Sequence, residues 1–329
     1  MPMESFAMIA YYISVTAQTS PVGKIKHVVV LMEENRAFDH IFGYSATPEW
    51  PLDGLTGRER NPVSTTNMSL GHVGVSADCP MINECDPNHG TPATTSKIFG
   101  AAAASQHNYS VPRMDGFVEW EATHADAHYC DVMRGFAPGR LPVIAALAQE
   151  YALFDRFFCS HPGPTWPNRM YTLSGTSAGS TETGTWYLDV PGQLFPQRTF
   201  FDQLAAEGRT WKNYYNDTPW EMFMETIAHH PEHTRPLSEF FADAANGNLP
   251  TFSWINPSSG INLTTGIASN DQHPDHDMAA GEQHYKAVYE ALRAGPGWND
   301  TLFILTYDVR APLSKWLPIR PGPSCPRRA

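Results

Sequence analysis

The chain has 329 residues and 42% hydrophobic residues, enough to build a sizeable core as one large domain or one domain with a cap. Its formal net charge of -12 argues against a nucleic-acid-binding protein, which would carry a basic face. No stretch approaches the roughly 18 uncharged apolar residues of a transmembrane helix, although contact with a membrane through a local apolar rim stays open.

The N-terminal segment, residues 1–23, contains a short apolar stretch from Phe6. It has no basic start and carries Glu4, so it is a weak signal-peptide candidate. Cys79 and Cys85 are close enough in sequence to pair in a loop. The N-x-S/T sequons slightly favour a secreted or endomembrane location over a cytoplasmic one. These sequons lie at Asn67, Asn108, Asn216, Asn262 and Asn299.

The first predicted element is a strand that ends at carboxylates. Residues 27–32 read HVVVLM, an unalternating β-branched run typical of a strand buried on both faces of a parallel sheet. Glu33, Glu34 and Asn35 follow directly. Ligands bind at the carboxyl ends of strands in open α/β sheets, so hard oxygen donors here indicate a metal or phosphate site. A solvated strand-to-helix turn is the alternative interpretation.

The next part of the chain is rich in loops. A short helix is predicted over residues 36–42, and residues 45–115 are rich in Pro, Gly, Ser, Thr and Asn with little periodicity. So long a stretch in a compact protein is usually functional or a lid. Helical spacing then predicts a helix over residues 141–151, and residues 154–159 predict a short buried strand.

Helices and strands alternate in the remainder. Thr165 precedes Pro167 in the loop SHPGPTWPNR, and a hydroxyl residue before a first-turn proline is typical of a helix N-terminus. The alternation predicts an α/β fold with a mostly parallel sheet and helices on both faces. The later predicted elements are a helix at 200–207, strands at 210–215 and 251–255, a helix at 278–293 and a strand at 299–307.

Two groups of polar residues could carry chemistry together. Glu34, Asn35 and Asp308 each follow an apolar strand, so we expect them to meet at one edge of the sheet. Two or three hard oxygens there suit a divalent cation that handles phosphate. Thr165 could present its hydroxyl and nearby backbone N–H groups to an anion, and a metal could deprotonate the hydroxyl.

Histidines in two polar loops complete the pattern. His273 and His276 lie in ASNDQHPDHD, and His89 lies in CDPNHG. Each feature also has a purely structural explanation. Thr165 would be only a helix cap, Asp308 only the start of a turn, and the histidines ordinary surface residues of a chain with 14 of them. The functional interpretation rests on the combination.

The chain resembles the phosphoesterase family of non-specific phospholipases C and bacterial acid phosphatases in three motifs, which occur in the family's order: EENRAFDHIFG, GPTWPNRMYTLSGTSAG and SNDQHPDHD. The similarity predicts a phosphoesterase domain over residues 24–308, with residues 45–115 as a loop-rich insertion. The resemblance implies an alkaline-phosphatase-like α/β fold and cleavage of phosphate esters by a metal-assisted hydroxyl nucleophile.

Carried over residue by residue, the resemblance implies that Thr165 is the nucleophile and forms a phospho-enzyme intermediate. It also implies that Glu34, Asn35 and Asp308 bind a divalent metal cation of unidentified kind.

The resemblance assigns the remaining site residues to the substrate. His89 and His273 correspond to histidines that contact the phosphate and protonate the leaving group. Arg169, Asn168 and His276 are expected to bind the substrate.

The chain departs from the family after Asp308. The family motif T-Y-D-E-H-G-G-F-Y-D-H-V continues with Glu, a metal ligand, where this chain has Val309. Residues 309–329 form a basic, Pro-rich tail outside the family pattern. We therefore expect a chain that is incomplete at the C-terminus, with impaired metal binding and low activity.

The leading prediction is a hydrolase of the phospholipase C type that cleaves the glycerol–phosphate bond of phospholipids. An acid phosphatase acting on soluble monoesters and a catalytically inactive isoform are the alternatives. The expected partners are a phospholipid or other phosphate-ester substrate and a peripheral membrane surface, with no nucleic acid.

Overall fold

A computed structural model describes residues 21–83, 86–106, 109, 111–124, 128–184, 194–260 and 266–309 of the chain. The predicted N-terminal segment up to residue 20, the predicted tail from residue 310, and the sequons at Asn108 and Asn262 lie outside the described residues.

The central element is a sheet of five parallel strands, β5-β4-β6-β1-β7 in spatial order, and a separate antiparallel pair is formed by β2 and β3. The strands are β1 His27–Glu33, β2 Arg60–Pro62, β3 His72–Gly74, β4 Trp211–Tyr215, β5 Thr234–Pro236, β6 Phe252–Asn256 and β7 Thr301–Tyr307.

Helices cover both faces of the five-stranded sheet. The helices are α1 Phe38–Phe42, α2 Thr91–Phe99, α3 Ala101–Ser105, α4 Phe117–Thr123, α5 Pro142–Glu150, α6 Thr165–Ser174, α7 Phe200–Ala206, α8 Glu225–His229, α9 Leu237–Asn246 and α10 Met278–Ala294. None of these described helices is long and apolar enough to cross a membrane.

Strand β1 shows why helices must cover both faces of the sheet. Val29 and Leu31 pack into one apolar cluster with α1, α5, α9 and α10. Val30 and Met32 point the other way, into a second cluster with α6, α7 and α8. Because successive side chains of a strand alternate between faces, an unbroken apolar run needs helices on both sides. The predicted α/β architecture is therefore confirmed.

The strand register fixes where the polar residues lie. Central strand β1 pairs with β7 from His27 opposite Thr301 to Glu33 opposite Tyr307. The residues that follow, Glu34 and Asp308, therefore emerge side by side at the carboxyl edge of the sheet.

Among their loops, residues 45–115 contain the β2–β3 pair and the helices α2 and α3. Two local predictions were wrong. Residues 154–159 form a turn and coil, since no described strand pairs with them. Cys79 has a free, buried thiol, so it does not pair with Cys85.

Candidate functional site

The two strand ends meet through hydrogen bonds. The backbone N–H of Asp308 donates to the carbonyl oxygen of Glu33 at 3.1 Å, and the backbone N–H of Asn35 donates to Asp308 Oδ1 at 3.0 Å. Asn35 has a φ of 50°, in the left-handed region that non-glycine residues seldom adopt. Such backbone strain tends to occur at functional sites.

Glu33 and Glu34 point to opposite faces of the sheet. Glu33 is fully buried on the face of Leu31, and neither of its carboxylate oxygens has a hydrogen-bond partner among the described residues. Burial and the charge of Asp271 raise the pKa of Glu33 well above its usual range. Glu34 alone therefore joins Asp308 at the site.

Thr165 is the first residue of α6, as the sequence predicted. Its side chain is buried, and Oγ1 donates a hydrogen bond to Glu34 Oε2 at 3.0 Å. Pro167 in the first turn has no N–H to satisfy, which suits the start of a helix. The hydroxyl thus lies where the helix dipole favours an anion, in direct contact with the strand-end carboxylate.

Arg169 lies one turn further along α6 and is fully buried. Its Nη2 is 2.5 Å from Glu34 Oε1, its Nη1 is 3.2 Å from Glu221 Oε1, and its Nε is 3.4 Å from Asp308 Oδ2. Burial alone would lower the pKa of Arg169, but these carboxylates raise it above its usual value. The guanidinium binds the carboxylates internally, so its predicted contact with substrate stays a prediction.

The pKa values of Glu34 and Asp308 shift in opposite directions. Burial would raise the pKa of Glu34, but Arg169 and hydrogen bonds with Asp308 and Thr165 hold it below its usual value. Burial and the negative charge of Glu34 raise the pKa of Asp308 well above its usual range. Two close carboxylates of this kind ionise together only at a cost that nearby positive charge offsets, and Arg169 contacts both of them.

The donor set fits a hard divalent cation. Asp308 Oδ2 is buried and has no hydrogen-bond partner among the described residues. With Glu34, Glu221 and Asp308 all ionised, the three carboxylates around Arg169 leave a formal charge of −2. Carboxylate and amide oxygens are the ligands that Mg²⁺ and Ca²⁺ prefer, so Glu34, Asn35 and Asp308 would hold such an ion.

The histidines predicted from the polar loops come together on the other side of Asn35. His89 Nδ1 lies 3.0 Å from Asn35 Nδ2, and the His89 and His273 ring centroids are 5.3 Å apart. Burial would lower the pKa of His89, but the hydrogen bond and charge of Asp86 raise it to about 9. His276 lies 5.5 Å from His273, between ring centroids.

The loop that carries His273 and His276 is held in place by residues that the sequence analysis did not single out. Arg36 is buried and donates to the carbonyl oxygens of Gln272, His273 and Pro274. The Asp271 carboxylate accepts from the backbone N–H of His273 and lies 2.6 Å from Nδ1 of His276. That hydrogen bond, followed by the charge of Asp271, raises the pKa of His276 against the effect of burial.

Sequence signals existed for only some of these residues. Arg36 and Asp271 lie inside the motifs EENR and SNDQH, so the motifs could have identified them. Glu221 lies in a short 3₁₀ helix, Trp220–Phe223, with no motif around it. Only the folded structure reveals it as a partner of Arg169.

Asn168 shapes the loop before α6. Its Oδ1 accepts from the backbone N–H of His161, and its Nδ2 donates to the carbonyl oxygens of His161, Gly163 and Pro164. The side chain is buried and its polar atoms serve the protein itself. Its predicted contact with substrate also stays a prediction.

Two histidine–carboxylate groups beside the strand ends offer further metal-ligating atoms. They are Asp86, His89 and His273, and His273, Asp275 and His276, each with ligand atoms within 4.8 Å of one another. An open pocket adjoins Asn35 and His89, and His40, Asp131 and Arg134 are among the residues that line it.

Comparison with known proteins adds the context for this geometry. Residues 25–310 match the Phosphoesterase family. Non-specific phospholipase C6 of Arabidopsis thaliana is 38% identical over 289 residues, which cover 86% of this chain and 53% of that protein. Non-specific phospholipase C1 of the same plant is 37% identical over 290 residues, covering 87% of this chain and 52% of that protein.

A bacterial protein is also similar. Hemolytic phospholipase C of Pseudomonas aeruginosa is 25% identical over 373 residues, covering 91% of this chain and 45% of that protein. The chain thus spans about half the length of the curated relatives it matches.

Proposed function

This chain belongs to the phosphoesterase family, and from that premise we propose that it hydrolyses phospholipids between glycerol and phosphate, as a phospholipase C. One observation carries the proposal. The Thr165 hydroxyl lies at a helix N-terminus, 3.0 Å from Glu34, and both Glu34 and the buried Asp308 contact Arg169. In this proposal the nucleophile is Thr165, the start of α6 binds the anion, and the oxygens of Glu34 and Asp308 bind the cation.

The first step is attack by Thr165 on phosphorus. The Oγ–P bond forms, the P–O bond to glycerol breaks, and Glu34 accepts the hydroxyl proton. The lowered pKa of Glu34 makes it a weak base on its own. A divalent cation held by Glu34, Asn35 and Asp308 would supply Lewis-acid charge next to the hydroxyl and the phosphate.

The histidines serve the leaving group. With a pKa of about 9, the His89 imidazole is protonated at neutral pH and can give its proton to the departing glycerol oxygen. The intermediate is a phosphodiester that joins Thr165 to the head group. Water then attacks its phosphorus, the Oγ–P bond breaks, neutral His89 takes up the proton from water, and the Thr165 oxygen recovers its own proton from Glu34. His273, 5.3 Å from His89 between ring centroids, contacts the phosphate in this proposal.

A phospholipid substrate is supported by the relatives, which are named phospholipases C. In this proposal the head group lies toward the pocket beside His89. Contact with a membrane surface is part of the proposal. Nucleic acid is disfavoured by the net charge of -12. Hydrolysis of soluble monoesters, as in an acid phosphatase, would use the same catalytic groups.

The test compares Thr165→Ala and Thr165→Ser with the unaltered chain. Purified protein is assayed on phosphatidylcholine and on p-nitrophenyl phosphate with Mg²⁺, Ca²⁺ or Mn²⁺. Thr165→Ala should lose about 10³-fold or more in rate, whereas Thr165→Ser keeps a hydroxyl and most of the rate. The matched control is Thr172→Ala, an exposed threonine on the same helix.

Product analysis and trapping decide the mechanism. Diacylglycerol release identifies phospholipase C cleavage, and hydrolysis of the soluble ester alone identifies a phosphatase. Rapidly quenched wild type should carry phosphothreonine at position 165 after p-nitrophenyl phosphate, or the phosphocholine ester of Thr165 after phosphatidylcholine, and Thr165→Ala should carry neither. Equal, background-level rates in wild type and Thr165→Ala would contradict the proposal and indicate an inactive isoform.

One observation favours that inactive isoform as the second candidate. Val309 is 1% exposed and stands where the family motif has a ligating Glu, so this chain has one carboxylate fewer to offer a cation. Isothermal titration with Mn²⁺ should show at least about tenfold tighter binding for Val309→Glu, because added ligand charge raises affinity. Unchanged affinity would show that position 309 does not face the cation.

A further inference from the structure

Three phenylalanines stand out from the surface just before the catalytic helix. Phe154, Phe157 and Phe158 are 75%, 59% and 60% exposed, and we call residues 154–158 the aromatic loop. Large apolar side chains clustered on a surface indicate an interaction site, whereas single ones are ordinary.

The aromatic loop is held in place. The backbone N–H of Asp53 donates to the Asp155 carboxylate at 2.8 Å, and Arg156 Nε donates to the Asp53 carboxylate at 2.9 Å. These contacts tie the backbone of the loop to Asp53, while the three phenylalanine side chains stay more than half exposed. Such an arrangement lowers the entropic cost of using the rings for binding.

The loop leads directly into the catalytic groups. His161 follows Phe158 by three residues, so their Cα atoms are within about 11 Å. His161 Nε2 lies 2.8 Å from Thr91 Oγ1, two residues after His89, and the backbone N–H of His161 donates to Asn168 on the catalytic helix. The aromatic loop is therefore joined by a short stretch of chain to His161, which contacts both Thr91 and Asn168.

We infer that the aromatic loop inserts into a zwitterionic phospholipid bilayer and brings the site to its substrate. This inference rests on the proposed function. Aromatic side chains favour the boundary between head groups and acyl chains. The net charge of -12 does not favour anionic lipid, so we expect the apolar rings to supply the attachment.

The experiment measures co-sedimentation of the full chain with phosphatidylcholine vesicles, in a Thr165→Ala background so that lipid turnover plays no part. Phe157→Ser/Phe158→Ser should weaken binding by at least about tenfold, and added salt should leave wild-type binding unchanged. The matched control, Met68→Ser/Leu70→Ser, removes two other apolar side chains, 50% and 56% exposed, and should bind as before.

Thermal unfolding establishes that each variant is folded. If the double variant is not folded, vesicle binding is measured with Phe154→Ser instead, since Phe154 is the most exposed of the three rings. Equal losses in the aromatic-loop and control variants would overturn the inference. So would a loop variant that abolishes self-association in sedimentation velocity but leaves vesicle binding intact, which would make the loop a contact between chains.

The two proposals fail separately. Vesicle binding that depends on the loop, in a chain without hydrolytic activity, would refute only the proposed reaction. Hydrolysis of the soluble ester through Thr165, in a chain that does not bind vesicles, would refute only the membrane contact.

Discussion

Replacing Arg169 by Met tests the charge balance of the candidate site. The guanidinium is fully buried and contacts Glu34, Glu221 and Asp308 within 3.4 Å. Removing one partner of a buried ion pair costs about 3–5 kcal/mol, because the remaining charges stay in a poorly polarisable interior. At 1.4 kcal/mol per decade, about 4 kcal/mol is close to a thousandfold change in the unfolding equilibrium constant.

Urea unfolding at neutral pH, followed by circular dichroism, measures this loss without adding salt. With an m-value of about 3 kcal/mol/M, the midpoint should fall by roughly 1–1.7 M. The matched control is Arg156→Met, which breaks an exposed ion pair with Asp53 and should cost at most about 1 kcal/mol.

Acidic pH adds a second test of Arg169→Met. Without the guanidinium, the buried carboxylates have raised pKa values, so the folded state takes up protons and gains stability as the pH falls. The deficit relative to wild type should therefore be smaller at acidic pH than at neutral pH. Equal losses for Arg169→Met and Arg156→Met, or a deficit that grows with acidity, would refute the reasoning.

Two further predictions concern α10. Burial lowers the pKa of His284 from 6.5 to about 4, so the stability that its neutral form contributes is present above pH 6.5 and is lost as the pH falls to about 4. In urea unfolding, His284→Gln should reduce by about 3 kcal/mol the fall in the free energy of unfolding across that pH range. The exposed His229→Gln should leave that fall unchanged, and equal pH dependence in the two variants would contradict the assignment. Gly281→Ala should lower the thermal midpoint by the equivalent of about 1–3 kcal/mol, because its Cβ would lie 2.0 Å from Gln272 Cγ. A gain in stability, as is usual for Gly→Ala in a helix, would show that Gln272 can move aside.

Sequence reasoning succeeded where the physics is local. The period of an apolar run reveals whether a strand is covered on one face or two, so β1 and its polar end at Glu34 could be predicted. The same holds for β7, which ends one residue before Asp308, and for α6, which begins at Thr165 as its Thr-x-Pro pattern requires. The rule that ligands bind at the carboxyl ends of parallel strands then put Glu34 and Asp308 together.

The aromatic loop shows where such reasoning fails. Its composition fits a buried strand, because Phe is common in strands and periodicity says little over six residues. A strand also needs a neighbour to satisfy its backbone, and among the described residues no strand pairs with residues 154–159. The same aromatic side chains therefore lie on the surface.

The sequence by itself determined the parallel sheet, the start of α6 and the polar ends of two strands, because each depends on neighbouring residues. The tertiary structure alone decided what those residues contact. Arg169 and Glu221 are 52 residues apart, and Arg169 and Glu34 are 135 residues apart. Whether an arginine faces a substrate or neutralises buried carboxylates depends on which distant groups the fold brings to it, and no local pattern encodes that.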